Sequence, residues 1–186
     1  MRMLLLVLSL LGPLERLDWD VAHAVQQARR PALERPMRFA TELGKPVVVA
    51  GGVVLAALAA RAAGGATALA AVAALAGANL VVEALKRATF RARPDGEHRR
   101  SNASFPSGHA ASAFALAWTL ARRWRRLGVP LFALAATVTF SRLYLNRHFL
   151  SDVVVGAALG LLCAWAVSRW LPSGRAHGRP VEPTAP

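Results

Sequence analysis

His148 and Asp152 stand four residues apart in the stretch SRLYLNRHFLSD, Ser141 to Asp152. On a helix that spacing puts both on one face. A carboxylate there accepts one imidazole N–H, fixes the tautomer and leaves the other ring nitrogen as a lone-pair nucleophile. Arg142 adds a planar, permanently charged donor suited to phosphate oxygens. The plainer alternative is a polar hairpin in which Ser151 or Asp152 only caps the helix that follows.

Two further clusters weigh against that alternative. In PSGH, Pro106 to His109, an apolar run begins at Ser107. A helix starting there offers free N–H groups and a dipole to an anion, and Gly108 lets the backbone come close. In KRATFRARP, Lys86 to Pro94, Lys86 and Arg93 bring two more cations. Phosphoryl transfer spreads charge over equatorial oxygens, so positioned cations supply much of its catalysis. Two histidines then divide the work: His148, oriented by Asp152, as nucleophile, and His109, beside the phosphate, as general acid. A metal-dependent site would call for several carboxylates. Near these clusters only Glu83, Asp95, Glu97 and Asp152 occur, so no metal and no cofactor is expected.

The elements that must position these residues are membrane helices. The chain of 186 residues is 55% hydrophobic yet carries a formal charge of +13. The apolar residues fall in long runs with the charges between them, which fits a membrane protein with basic loops rather than a nucleic-acid binder. The lone Cys163 lies in the last apolar run and has no disulfide partner.

In chain order, residues 3–14 form a short apolar run, read as a shortened first span. Residues 13–45 read as a helix lying in the interface, with Trp19 at headgroup level, Asp18 and Asp20 on its polar side, His23 at the surface, and breaks at Pro31 and Pro36. Spans follow over 46–63 and 66–85, with a turn at Gly64 and Gly65 and a pairing of Glu83 with Lys86. After the long polar loop 86–107 come spans over 107–120, 129–145 and 152–171. The basic turn ARRWRRLG separates the first two of these. Gly156 and Gly160 form a G-x-x-x-G pair that reads as close packing inside the bundle rather than a dimer face. The expected architecture is an all-α polytopic transmembrane bundle of about six helices. It forms one membrane-embedded domain over 1–171, followed by a disordered basic tail over 172–186. The loop 86–107 and the hairpin through ARRWRRLG return all three clusters to one membrane side.

At these residues the chain resembles the type 2 phosphatidic acid phosphatase family of membrane lipid phosphatases. The family's Lys, six residues, Arg-Pro stands as Lys86 to Pro94. Its Pro-Ser-Gly-His stands as Pro106 to His109, and its Ser-Arg, five residues, His, three residues, Asp as Ser141 to Asp152. The resemblance spans roughly residues 40–171. It implies a metal-independent phosphatase on a six-helix bundle, with a phosphohistidine at His148 oriented by Asp152. His109 would protonate the leaving group, and Lys86, Arg93, Ser107, Gly108 and Arg142 would join it in holding the phosphate. Vanadium haloperoxidases share the motifs but are larger soluble proteins, and a relative that only binds lipid phosphate would be expected to lack a histidine.

The expected partners are the bilayer and a membrane lipid phosphate, with no nucleic acid. Nothing polar within the apolar runs suggests recognition of a sugar or a base. Arg87, Arg91, Arg99 and Arg100 near the loop suit either a diphosphate or anionic lipid headgroups. The resemblance, whose small bacterial members commonly act on polyprenyl diphosphates or glycerolipid phosphates, implies undecaprenyl diphosphate as the expected substrate. Phosphatidic acid, phosphatidylglycerophosphate and diacylglycerol diphosphate are the alternatives. The expected location is the inner (plasma) membrane, with the site on the extracytoplasmic side.

Overall fold

The computed structural model describes residues 2–45, 47–49, 51, 53, 65–97 and 102–171. These residues form helices and turns, with no strand among them. The helices are α1 (Arg2–Gln27), α2 (Pro31–Leu43), α3 (Gly65–Thr89), α4 (Gly108–Arg123), α5 (Gly128–Tyr144) and α6 (Leu150–Trp170), with a 3₁₀ turn at Arg125–Leu127 before α5. Residues 47–49, 51 and 53 are also helical. The remainder of the span expected over 46–63, and the tail over 172–186, lie outside the described residues.

Among the described residues, three segments are long and apolar enough to cross a membrane: Gly65–Thr89, Arg125–Tyr144 and Leu150–Trp170. The run over 107–120, read as a span, becomes α4 of only 16 residues. That is short of the ~20 a span ordinarily needs. It lies among the three long helices, packed on α6, α5 and α3, so that its few missing residues are made up by neighbours on every side. Its inward residues are small: Ala110, Ala111, Ser112, Ala113, Ala115 and Ala117 are all buried. Without bulky side chains the backbones approach closely, as lipid-embedded helices require when no hydrophobic effect drives them together.

Gly156 and Gly160 on α6 carry this furthest. A Cβ at Gly156 would lie 2.4 Å from the Ser107 carbonyl oxygen, and one at Gly160 would lie 2.1 Å from that of Ala111. The G-x-x-x-G pair is therefore the seat of α4 on α6, inside the bundle.

The N-terminal segment departs from expectation. Pro13 lies inside a continuous α1 of 26 residues, so the short apolar run and the mixed segment after it are one helix. The break expected at Pro31 is present, with α1 ending at Gln27, Arg30 extended and Pro31 opening α2, whereas Pro36 lies within α2 and does not break it. Proline at the first helical position loses only an N–H that had no partner there. Asp18 does not sit on a solvent-facing side: it is among the most buried side chains in the protein. His23 is exposed and stacks on Trp19.

The α1–α2 elbow docks on the end of α5. Gln26 Nε2 donates to the carbonyls of Leu143 and Tyr144, each at 3.2 Å. The Tyr144 hydroxyl donates to the Arg30 carbonyl at 2.7 Å and accepts the Arg30 N–H at 2.9 Å. These bonds satisfy helix-end groups that would otherwise be orphaned. They also bring α2 beside Arg142.

Candidate active site

The α5–α6 connection turns sharply, with Asn146 at φ 57°, a left-handed conformation that asparagine tolerates. It delivers His148 and Phe149 to the start of α6, where Phe149 is the N-cap. Phe149 has no side-chain acceptor, so the cap comes from Asp152 in the first turn, whose Oδ2 accepts the Phe149 N–H at 2.8 Å. The same oxygen accepts the Ser104 hydroxyl in a short hydrogen bond and lies 3.5 Å from His148 Nδ1. Oδ1 is taken by Arg91 at 2.7 Å. Asp152 is thus both the helix cap and the neighbour of the imidazole, which unites the two alternatives its position allowed.

His148 is 3% exposed. With Nδ1 toward Asp152, its other ring nitrogen, Nε2, faces the Arg93 guanidinium, 3.5 Å from Nη1. Burial pushes the imidazole down to about 4, against the opposing pull of the Asp152 hydrogen bond, so the ring is neutral near pH 7. Arg93 is itself anchored. Nη1 donates to the Arg147 carbonyl at 2.6 Å, and Nη2 and Nε reach the Asn102 side chain and carbonyl at 2.6 and 3.2 Å. Burial, with Arg147 nearby, lowers its pKa from the usual guanidinium value. Glu97, Asp95 and Asp152 act in the opposite direction, so burial is what dominates.

The PSGH segment meets the same point from α4. Ser107 is the N-cap, its hydroxyl accepting the Ala110 N–H, and its own N–H donates to the Asp152 carbonyl at 2.9 Å. A Cβ at Gly108 would meet Val82 and Asn79 at 3.6 and 3.8 Å, ordinary contacts, so packing within the protein does not by itself require glycine there. His109 follows in the first turn, in the electrostatic field of Arg142, His148 and Lys86. Lys86, half-buried at the end of α3, interacts in turn with Arg93, Arg142 and Asp152. Arg142 is buried and donates from Nη1 to the Thr41 hydroxyl. Buried polar atoms without a hydrogen-bond partner include Arg142 Nε and His109 Nε2. These two, from residues expected to handle a phosphate, mark where a polar ligand would be satisfied.

Beside Arg142 opens a cleft of about 600 Å³ lined by Arg29, Arg38, Phe39, Thr41, Glu42, Asp95, Leu145 and Arg147. It is a polar recess next to the phosphate residues, which the apolar runs alone did not suggest.

Two expectations fail in detail. Glu83 pairs with Arg87 at 3.0 Å on an exposed face, not with Lys86. Arg87 and Arg91 are therefore both engaged, Arg91 with Asp18 and Asp152, and neither is a free cation for a second phosphate. Arg99 and Arg100 lie outside the described residues. The sequence reading also missed Ser104, Thr41, Asn102 and Asp18. None of them belongs to a spacing pattern, and each is recognised only by what it touches.

The three clusters gather around His148 and Asp152, and all of them fall inside one matched stretch. The PAP2 superfamily model matches residues 67–175. The chain belongs to the PAP2 superfamily. Over 86 residues this PAP2 chain is 40% identical to a lipid A 1-phosphatase of Porphyromonas gingivalis, covering 44% of this chain and 19% of that protein. Over 90 residues it is 38% identical to a decaprenylphosphoryl-5-phosphoribose phosphatase of Mycobacterium tuberculosis, covering 45% and 49%. The matches thus span half or less of those relatives' lengths. Among solved structures, Aquifex aeolicus LpxE superimposes with a TM-score of 0.73 at 25% identity, covering 82% of this chain and 95% of that one. The first transmembrane PAP2 type phosphatidylglycerolphosphate phosphatase from Bacillus subtilis superimposes with a TM-score of 0.67 at 27% identity, covering 84% and 85%. With its apolar helices and these neighbours, this PAP2 chain is a multi-pass membrane protein.

Proposed function

We propose that this chain is a phosphatase that removes the terminal phosphate of a membrane lipid phosphate or diphosphate through a phosphohistidine. The observation that carries the reading is the placement of His148: Nδ1 beside the Asp152 carboxylate, Nε2 facing the Arg93 guanidinium where a phosphate would sit. Nε2 attacks phosphorus in line, and the N–P bond forms as the bond to the lipid oxygen breaks. His109 gives its proton to that oxygen. A water then attacks phosphorus, His109 takes the water's proton, and the N–P bond breaks to release phosphate and neutral His148. Lys86, Arg93, Arg142 and the first N–H groups of α4, at Gly108 and His109, hold the equatorial oxygens throughout. The groups around this point are cations and imidazoles, not the cluster of carboxylate oxygens that a divalent ion prefers, which supports a reaction without a metal or other cofactor.

For the substrate, the relatives are named for a phosphate on a lipid and differ in what else the lipid carries. Undecaprenyl diphosphate is the specific substrate to test first, in the plasma membrane with the site facing the extracytoplasmic side. The engagement of Arg87 and Arg91 removes part of the support for a diphosphate. The polar cleft beside Arg142 supports a second reading, a phosphomonoester lipid with a hydroxyl-bearing headgroup such as phosphatidylglycerophosphate. The deciding experiment is phosphate release by the purified protein from undecaprenyl diphosphate, diacylglycerol diphosphate, phosphatidylglycerophosphate and phosphatidate in one detergent. A tenfold advantage in kcat/KM, ~1.4 kcal/mol of transition-state preference, for a glycerolipid rules out the polyprenyl substrate. Turnover of soluble phosphate esters with no lipid turned over rules out the lipid.

A further inference from the structure

Asp18 lies on α1, outside the three motifs and outside the residues the family model matches. It is 1% exposed and every oxygen is used. Oδ1 accepts the Ser151 N–H at 2.8 Å, and Oδ2 accepts the Ser151 hydroxyl at 2.5 Å and Arg91 Nη2 at 2.7 Å. From its other terminal nitrogen Arg91 reaches the Ser151 hydroxyl and Asp152 Oδ1, both at 2.7 Å. Its guanidinium lies over the Phe149 ring, 4.3 Å from the centroid. One planar cation is therefore shared by two buried carboxylates from helices at opposite ends of the chain.

The sharing has two consequences for the nucleophile. Arg91 occupies Oδ1 of Asp152, which fixes the rotation of the carboxylate and leaves Oδ2 toward His148 Nδ1. Asp18 holds Arg91 in that place, so the guanidinium cannot swing toward the substrate phosphate. In charge, Asp18, Arg91 and Asp152 together sum to −1, which complements the positive charge that builds on the imidazole as the N–P bond forms. Asp18 without Arg91 would be a buried charge with no counter-ion, so the pair stands or falls together.

We propose that Asp18 and Arg91 are positioning residues of the phosphoryl-transfer site: Arg91, held by Asp18, orients the Asp152 carboxylate against His148, so that the first helix completes the nucleophile. The inference rests on the phosphohistidine reading above. Its test uses the full chain in detergent, with kcat and KM on phosphatidylglycerophosphate and undecaprenyl diphosphate, orthovanadate affinity by thermal shift, and Tm. Arg91→Gln is expected to lower kcat about thirtyfold and Asp18→Asn about tenfold, with KM moving less than about threefold, because the lost interaction acts in the transition state. Arg91→Lys, which can reach one carboxylate but not bridge two, falls between wild type and Arg91→Gln. The double variant Asp18→Asn/Arg91→Gln is no slower than Arg91→Gln alone, since Asp18 acts through Arg91. Additive losses, or a lowered Tm with kcat intact, overturn the proposal. Should Arg91→Gln not fold, Asp18→Asn and Arg91→Lys carry the same comparison. If His148→Ala still turns over lipid, the phosphohistidine reading itself fails. If His148→Ala is dead while Asp18→Asn and Arg91→Gln are fully active, only the positioning role fails. Should wild type turn over neither lipid, orthovanadate binding that His148→Ala abolishes and Asp18→Asn weakens about tenfold supports the proposal, and binding that Asp18→Asn leaves unchanged overturns it.

Discussion

The chemistry at residue scale turns on a histidine kept neutral by burial. With its pKa pushed down to about 4 from an ordinary 6.5, His148 is an available lone pair across the physiological range. Its ring should titrate near 4 in a histidine NMR experiment on the full chain, and a midpoint at or above 6.5 would contradict the buried geometry. The sign for stability follows. The unfolded chain takes up this proton as pH falls through 6.5, while the folded chain refuses it until about 4. This group therefore erodes stability across that window and no further below it. His148→Ala should reduce lipid phosphate turnover to background with the fold intact by circular dichroism. Asp152→Asn should cost on the order of 10²-fold in kcat through a misoriented ring. A chelator should leave turnover unchanged and vanadate should inhibit; loss of activity in chelator, restored by a divalent ion, would refute a metal-free reaction. At this scale spacing brought His148 and Asp152 together by a different geometry from the one expected: His148 precedes the N-cap Phe149 instead of sharing a face of α6, and Asp152 folds back from the first turn to meet it. Asp18 was not legible at all. Its partners Arg91 and Ser151 lie 73 and 133 residues away, and no local pattern distinguishes it from the neighbouring Asp20.

Between elements, the governing contact is backbone on backbone. Gly156 and Gly160 let α6 rest on the Ser107 and Ala111 carbonyls, and that seat aligns the Ser107 N–H with the Asp152 carbonyl. Gly160→Ala should therefore cost ~1–3 kcal/mol by overpacking and lower kcat as well, read by thermal unfolding and turnover. Gly77→Ala on α3, where a Cβ meets nothing within 4 Å, should be neutral or slightly stabilising in the same assays. The G-x-x-x-G spacing announced this packing in the sequence. Pro31 marked the break between α1 and α2, where proline suits a helix start, while Pro36 misled, since it lies inside α2. The alanines of α4 admit three neighbours, a role that hydropathy does not encode.

For the whole molecule, the loop after α3, the start of α4 and the α5–α6 turn meet at one end of the bundle, and the Arg125–Leu127 turn joins the far end of α4 to α5. Single cysteines replacing exposed Thr89 and Glu42, in a Cys163→Ala background, should label from one membrane side, and a cysteine at Leu127 from the other. Opposite labelling of Thr89 and Glu42 would break the convergence. The cleft beside Arg142 has a further consequence. One wall is Arg29, Arg38, Phe39, Thr41 and Glu42 from α1–α2 and its flanks; the other is Asp95, Arg142, Leu145 and Arg147 from the motif-bearing half. The part of the chain that would cut the phosphate and much of the part that would greet the headgroup are thus separate stretches of sequence, free to diverge at different speeds. A lineage could trade one lipid diet for another by rewriting some fifteen residues around α2 while its hydrolytic apparatus stands still. Transplanting residues 29–42 from a relative with a different headgroup preference should then move selectivity along with the graft and leave the rate on the preferred lipid nearly unaltered.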